Sequence, residues 1–470
     1  MGSLAIAVPG RTDGSNGVKR VARVVARDWR NAPAGDKLRA RLAAIGVDLS
    51  TAATAPFQYT LFFFGSADDD IPHVVDELSA GGRQPVLAIA ATRDVLTNAF
   101  IWRLLAAGAS DVFHWDGHLD PERQITARIE RWRAVDDLVV SAQARRTLIG
   151  ESTCWRRQLR EVVEAAHFTR APVLISGESG TGKELVARLI HALDPRPDKG
   201  EFVVLDCTTV VPTLSGSEFF GHEKGAFTGA VAARDGAFAM ANRGTLFLDE
   251  VSELPLPLQA ELLRVVQEGM YKRVGSNTWR RTDFRLVAAT NRDLVQEQAA
   301  GRFRGDLYYR IAGWVFHLPP LRERAGDIPL LARYFLAEGG RDGPPPELDP
   351  AVEELLVRRD YAGNIRDLRQ LMARIAARHV GPGPITVGDL PPEDRPAVDG
   401  HAAPLDETAF EGAVRQALAR GLTLREITQK AGDTAVRLAC DEALDNLQLA
   451  AARLGVTDRA LQLRKANGRG

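Results

Sequence analysis

Residues 173–193 constrain this chain more than any other stretch. Val173-Leu174-Ile175-Ser176 is a short apolar run of the buried-strand type. It meets Gly177-Glu178-Ser179-Gly180-Thr181-Gly182-Lys183-Glu184, and a helical pattern follows over Leu185–Leu193. Strand, glycine loop, lysine and helix in that order make a phosphate-binding loop. Its glycines let backbone N–H groups turn inward around phosphate oxygens, aided by the helix N-terminus. Lys183 supplies a point charge to the terminal phosphates. One residue departs from the general pattern, because Glu184 stands where a serine or threonine usually touches magnesium.

Gly244-Thr245-Leu246-Phe247-Leu248-Asp249-Glu250 reads as the other half of the site. An apolar strand ends there in two carboxylates. Asp249 can hold Mg2+, directly or through water, and Glu250 can polarise the attacking water. Between the two halves lies Gly225-Ala226-Phe227-Thr228-Gly229-Ala230. Hydrolysis of a nucleotide does not need an apolar, glycine-hinged hexapeptide. Taken alone, the stretch fits a buried turn with Phe227 in the core. It also fits a loop that presents an aromatic tip to a partner.

A chain of 470 residues is too long for one core and implies about three domains. Its formal net charge is −1, so it is no polycation built to coat nucleic acid, and any DNA contact must be local. Cys154, Cys207 and Cys440 show neither disulfide arithmetic nor metal-ligand spacing, which fits a reducing cytosol. No apolar run approaches the ~18 residues of a membrane span, and no signal peptide opens the chain. A soluble, cytoplasmic protein is expected.

The central part resembles the sigma-54-dependent transcription activators, or bacterial enhancer-binding proteins, of the AAA+ ATPase class. The resemblance is dense from Leu148 to about Pro392. Besides the blocks above, it rests on Glu218–Lys224, Gln259–Val266, Ala288–Leu294, Phe303–Arg310, Leu318–Arg324, Asp327-Ile328 and Gly363–Leu368. In that family glutamate is the usual residue at the position of Glu184. The resemblance implies ATP and Mg2+ as cofactors, with 177–184 at the phosphates. It implies that Thr290 and Asn291 read the gamma phosphate. Arg304 and Arg310 would be fingers projected into a neighbouring subunit's site, and Arg366 would sense nucleotide from the helical lid. A trans finger needs a closed ring, so a homo-oligomer running from dimer to hexamer is implied. The 225–230 loop would touch the sigma-54 RNA polymerase holoenzyme, with Phe227 as contact and Thr228 near the factor. In two places the chain departs from the family. Asp206 replaces an asparagine that switches the catalytic glutamate by hydrogen bonding; an ionised aspartate only accepts hydrogen bonds. Ala239 replaces a common glutamate, with no consequence assigned.

Residues 1 to about 140 alternate apolar runs with helical patterns, which implies a parallel sheet covered on both faces. Ser3–Val8, Tyr59–Phe64, Pro85–Ala91 and Asp111–Trp115 read as strands; Val18–Trp29, Pro72–Leu78, Val95–Ala107 and Pro121–Val139 read as helices. The stretch Val86–Ala91 followed by Leu105–Val112 resembles the fourth and fifth strand units of response-regulator receiver domains. Phosphorylation chemistry is missing. Phe62-Phe63-Phe64 runs into Gly65-Ser66 where a nucleophilic aspartate should end the third strand. Val8-Pro9-Gly10 stands where an acidic pair should hold a metal, and His114-Trp115-Asp116 where a lysine should follow the fifth strand. Asp68, Asp69 and Asp70 form a solvated charge run.

From Gly381 to Pro404 the chain is rich in proline and glycine, as in a linker. Beyond it, Phe410–Leu418, Leu424–Lys430 and Asp433–Ala443 have helical spacing, and Leu447–Lys465 has helix–turn–helix spacing, with Gly455 at the turn and Thr457 as cap. This end resembles the Fis-type DNA-binding domain. Arg459 and Gln462 would read base edges of upstream activating DNA, while Arg464 and Lys465 suit phosphates. A helical hairpin used for dimerisation would show the same pattern.

The expected architecture is therefore α/β. A receiver-like domain (1–140) precedes an AAA+ P-loop domain (147–385) with a helical lid from about 325. A linker (386–404) and an all-α helix–turn–helix domain (405–470) follow. The expected function is an ATP-hydrolysing activator that remodels sigma-54 polymerase. An AAA+ remodelling ATPase or chaperone acting on another protein is the alternative.

Overall fold

The structure is a computed structural model. It describes residues 20–27, 36–45, 47–50, 58–80, 84–115, 120–209, 215–338, 345–395 and, in shorter stretches, parts of 411–456. The chain divides into two compact units, Met1–Pro391 and Pro392–Gly470.

The first unit opens with a parallel sheet of β1 (Arg20–Arg27), β2 (Val47–Ser50), β3 (Tyr59–Phe64), β4 (Val86–Ala90) and β5 (Asp111–His114), in the order β2-β1-β3-β4-β5. That is a doubly wound order, with helices on both faces. Helices α1 (Asp36–Ala44), α2 (Ile71–Ser79), α3 (Asn98–Ala106) and α4 (Pro121–Val139) provide them. Leu61 and Phe63 face Leu38, Leu42, Ile125 and Ile129 on one side. Phe62 and Phe64 face Ile71, Val75, Phe100 and Leu104 on the other. Burial on both faces explains why β3 is an unbroken apolar run rather than an alternating one.

One expectation fails here. The segment Val18–Trp29, read as a helix, forms the strand β1. Val21, Val24 and Val25 fit helical spacing, so periodicity alone does not decide. Pairing decides, since β1 bonds β2 on one side and β3 on the other, and Ala22 and Val24 turn to the same buried face. Val is also a better strand than helix former. Ser3–Val8 lies outside the described residues. The first strand of the sheet thus ends at Arg27, and the residue after it in sequence is Asp28, not Pro9. Val8–Gly10 therefore does not follow the first strand of this sheet. Phe64 and His114 do end the third and fifth strands.

Next come α5 (Ala142–Thr147) and α6 (Thr153–Phe168), then the second sheet. Its strands are β6 (Val173–Ser176), β7 (Phe202–Asp206), β10 (Thr245–Asp249), β13 (Arg285–Thr290) and β14 (Trp314–His317). They run parallel in the order β14-β6-β13-β10-β7. Helix α7 (Lys183–Leu193) follows β6; α8 (Ser215–Phe220), the pair β8 (Gly221–His222) and β9 (Arg234–Asp235), and α9 (Ala237–Met240) precede β10. Helix α10 (Leu256–Glu268), the pair β11 (Met270–Tyr271) and β12 (Arg280–Arg281), α11 (Leu294–Ala299) and α12 (Gly305–Ile311) complete this layer. A helical lid follows, α13 (Ile328–Glu338), α14 (Pro350–Arg358) and α15 (Asn364–Arg378). The lid's core joins Leu331, Val352, Leu368, Leu371 and Met372 to Leu390. Leu390 lies within the stretch expected to be linker, so the packed lid runs past residue 385.

The two sheets are fastened through α4 and α6. Arg131 donates to Glu164 at 2.7 Å and stacks on Phe168 at 4.3 Å. Asp136 accepts from Tyr59 Oη at 3.0 Å and forms an ion pair with Arg160. The far end of α6 is capped by Arg285, whose buried guanidinium donates to the carbonyls of Ala165 and Ala166, each at 2.8 Å. A cation is favourable at a helix C-terminus. Burial pushes the pKa of Arg285 down to about 10, which leaves it charged.

In the second unit, α16 (Leu424–Glu442) is one helix where two were expected, and it continues through Gly432. Thr423 opens it, accepting from the Glu426 N–H while Glu426 accepts from the Thr423 N–H at 2.7 Å, as in a capping box. Arg459, Gln462, Arg464 and Lys465 lie outside the described residues.

Candidate nucleotide site and its partner loop

The site forms where β6, β10 and β13 end together, the crevice in which α/β sheets bind ligands. Lys183 is the first residue of α7 and only 7% of its side chain is exposed. Its ammonium donates to the carbonyl of Gly177 at 2.9 Å and lies 3.3 Å from Glu250. Gly180 has a φ of +79°, and a Cβ there would fall 2.1 Å from the carbonyl oxygen of Gly363. Lid and loop therefore touch at a point that admits only glycine.

Further bonds tie loop to lid. Gly180 O accepts from the N–H of Ile365 at 3.0 Å. Glu178 accepts from both terminal nitrogens of Arg322, at 2.9 and 2.6 Å, and from Asn364 Nδ2 at 3.1 Å. Those Arg322 and Asn364 bonds hold its carboxyl below the usual carboxylate range. Arg366 donates to Ser179 Oγ at 3.1 Å, so the expected lid sensor does reach the loop. Thr181 is buried and its hydroxyl donates to Glu178 O at 2.8 Å. Glu184 instead pairs with Arg188 at 2.6 Å on the surface of α7.

Asp249 ends β10, and Glu250 follows in the left-handed region at φ +49°. For a non-glycine residue that geometry is strained, and such strain gathers at functional sites. Glu250 Oε2 accepts from the backbone N–H of Asn291 at 2.9 Å. Burial, then the charge of Glu250, pushes the Asp249 carboxyl up. Asp206 pairs with Asp249 across β7 and β10, yet its carboxylate is taken up by Thr208, accepting from N at 2.9 Å and from Oγ1 at 2.7 Å. Of the two expected sensors, Asn291 is exposed beside Glu250. Thr290 is buried, with its hydroxyl 3.1 Å from Ser252 Oγ and accepting from the N–H of Arg292. Asp249 fits Mg2+, which binds by one or two carboxylates together with substrate phosphates.

The two expected fingers lie on a separate segment. Arg304 grips Asp306 with two nitrogens, at 3.0 and 2.7 Å. Arg310 donates to Val266 O at 3.3 Å. A cavity of about 450 Å³ opens beside Arg310, lined also by Arg170, Asp283 and Tyr309. It lies at the N-terminal ends of β6 and β13 and is therefore not the nucleotide crevice.

The 225–230 hexapeptide is a closed surface loop rather than a buried turn. Gly225 N donates to Ala230 O at 2.8 Å, and Gly225 and Gly229 have φ of +81° and +104°. Phe227 is 36% exposed and rests edge-on against His222. A second segment supports the loop, and sequence reasoning missed it. In the turn between β11 and β12, Val274 bonds Gly221 and Glu223 at 2.9 and 3.1 Å. Arg273 and Arg280 converge on Glu223, and a Cβ on Gly275 would meet Ala226 at 2.8 Å. The short strands, two residues each, gave no periodic signal.

A P-loop, an acidic strand end and a helical lid on a parallel sheet define an AAA+ nucleotide fold. Residues 148–317 match the sigma-54 interaction domain, and residues 322–406 match the AAA+ ATPase lid domain. The central part of this chain thus belongs to the sigma-54 interaction family of AAA+ ATPases. It is 48% identical over 235 residues to a Nif-specific regulatory protein of Bradyrhizobium diazoefficiens, covering 50% of this chain and 40% of the relative. It is 42% identical over 298 residues to the regulatory protein AtoC of Escherichia coli, covering 63% and 62%. To the transcriptional regulatory protein ZraR of Klebsiella oxytoca it is 44% identical over 282 residues, covering 58% and 63%. The chain thus spans less than two thirds of each of these relatives. In fold it is similar to NtrX from Brucella abortus, with a TM-score of 0.50 and 24% identity, covering 96% of this chain and 99% of that one.

Proposed function

We propose that this protein is an ATP-hydrolysing transcription activator that remodels the sigma-54 RNA polymerase holoenzyme. One observation carries the reading: Glu250 is held between the phosphate-binding Lys183 and the sensor strand at Asn291, while the 225–230 loop stands clear of that site at the surface. Chemistry and partner contact are thus separate. The backbone of 177–184 and Lys183 hold the phosphates of ATP. Asp249 would hold Mg2+, which would supply positive charge to offset that developing on the phosphates. Glu250 orients and polarises water, and Asn291 stands beside it to read the gamma phosphate. Arg366 reports nucleotide to the lid. Arg304 and Arg310 serve a neighbouring subunit of a ring, up to a hexamer. Phe227 and Thr228 contact sigma-54.

The outer parts complete the proposal. Residues 1–140 form a regulatory domain that does not accept phosphate, since Phe64 ends β3 and His114 ends β5. Arg459, Gln462, Arg464 and Lys465 bind upstream DNA. Among the described residues no helix is long and apolar enough to cross a membrane. Action on DNA in the cytoplasm is part of this proposal. A run-off assay on a sigma-54 promoter tests the whole reading. Transcripts should require this protein and hydrolysable ATP together. Equal transcript with a non-hydrolysable analogue would overturn it.

A further inference from the structure

We infer that Gln259 is a positioning residue that sets the arginine-finger segment against the acid-bearing strand end, and so acts on hydrolysis in the neighbouring subunit. The inference rests on the reading of Arg304 as a trans finger. Gln259 lies on α10 with no exposed surface. Leu258, Leu262 and Leu263 on the same helix fill the core. An amide among them is explained by what it faces, which is backbone from two functional segments. Its Nε2 donates to Leu254 O at 2.7 Å and to Arg302 O at 3.0 Å. Its Oε1 accepts from the N–H of Arg304 at 2.9 Å.

Leu254 closes the short turn that begins at Glu250, and Ser252 within it meets Thr290. Arg302 and Arg304 flank Phe303, which is anchored in the same core. One side chain therefore spans the water-polarising loop of its own subunit and the finger aimed at the next. Every polar group of the amide that bonds here is committed to one of the two, so a shift of the Glu250 turn is carried to Arg304. Asp306 then fixes the guanidinium itself. Displacement of a positioned group by about an ångström costs on the order of 10² in rate.

Subunit mixing in the full-length protein tests this. Gln259→Met keeps the volume and removes all three bonds. Gln259→Glu keeps an acceptor for Arg304 and loses both donated bonds. Each variant should form rings and bind ATP with unchanged Kd, while kcat falls about 10- to 100-fold. Mixed with an equal amount of Glu250→Gln, each should recover activity at about a quarter of the sites. These are the sites with an intact pocket beside an intact finger donor, half times half. Arg304→Ala mixed in the same way is the control. Recovery with Arg304→Ala but not with the Gln259 variants overturns this inference alone. No recovery with Arg304→Ala overturns the finger reading beneath it. If neither Gln259 variant enters rings, Gln259 holds the fold rather than the finger, and the inference fails.

Discussion

Lys183 Nζ lies 3.3 Å from Glu250 Oε1, with 7% and 19% of the two side chains exposed. One ammonium thus meets both the phosphate loop, through Gly177 O, and the carboxylate that would polarise water. On the proposed mechanism the two residues nevertheless do different work. Without its ammonium the loop lacks the charge that draws the terminal phosphates. An amide at 250 keeps the shape of the side chain and still accepts from Asn291, but it no longer polarises water. Lys183→Ala should therefore lose nucleotide binding. Glu250→Gln should bind ATP and hydrolyse it poorly, roughly 10²–10⁴-fold slower. Equilibrium binding of a fluorescent ATP analogue, beside a phosphate-release assay, separates the two. Near-normal turnover in Glu250→Gln would sink the assignment.

Thr228 sits on a loop closed by its own Gly225–Ala230 bond, and no described bond links that loop to the P-loop. Damage at its tip should leave the site intact. Thr228→Ala should keep ATPase activity and DNA binding and lose activation at a sigma-54 promoter. Normal run-off transcription by this variant would show that the contact lies elsewhere.

Gly180 combines a left-handed backbone with a carbonyl 2.1 Å from where a Cβ would stand. Alanine there must either strain the loop, at about 1–2 kcal/mol for the backbone alone, or push Gly363 away. Pushing it away breaks the Ile365–Gly180 bond and draws Arg366 off Ser179. Gly180→Ala should lower Tm and weaken ATP binding at least tenfold. Gly225→Ala, with no atom within 4 Å of its Cβ, strains its backbone without that clash and should leave ATP binding unaltered.

Much of this site was legible in the chain because its parts are local. A strand, a glycine loop and a lysine within a dozen residues carry their own geometry, and so does an apolar run ending in two carboxylates. What was not legible depends on partners far away in sequence. Val18–Trp29 has the spacing of a helix and becomes a strand only because β2 and β3 flank it. The Glu178–Arg322 tie spans 144 residues, and Glu250 meets Asn291 across 41. Asp206 stands where the family has an asparagine; its carboxylate is bound by Thr208, two residues on, a local bond that sequence could have suggested.

Glu178 gives a pH dependence with a definite sign. Its folded pKa is lowered from 4.5 by the bonds from Arg322 and Asn364. A lowered carboxylate pKa stabilises the fold fully above the unfolded value, and that contribution fades as pH falls through the folded value. The gap in Tm between the native protein and Glu178→Gln should be constant at neutral pH and shrink below about pH 4.5. Differential scanning calorimetry at stepped pH reads it. A gap that widened on acidification would mean that the Arg322 pair is not what holds the loop.

The strand ends of the first sheet bear on control by phosphorylation at the first domain. A phosphorylatable receiver domain needs a carboxylate nucleophile at the end of the third strand. There β3 ends at Phe64, which is buried and pairs in register with Ala90. The acidic run begins only at Asp68, at the surface. Asp68 accepts from Ser66 Oγ at 2.6 Å, and Asp69 pairs with Arg103 at 3.1 Å. Asp70 opens α2. None of the three stands at the strand end. After β5 come Trp115 and Asp116 rather than a lysine, and Trp115 packs edge-on against Phe63. Acetyl phosphate with magnesium should leave residues 1–140 unmodified by intact-mass measurement, and ATPase activity unchanged. Asp28 follows β1 in sequence, so the same measurement on Asp28→Asn belongs beside Asp68→Asn, Asp69→Asn and Asp70→Asn. A mass gain of one phosphoryl group, abolished by any one of these changes, would make this a working receiver and overturn the reading.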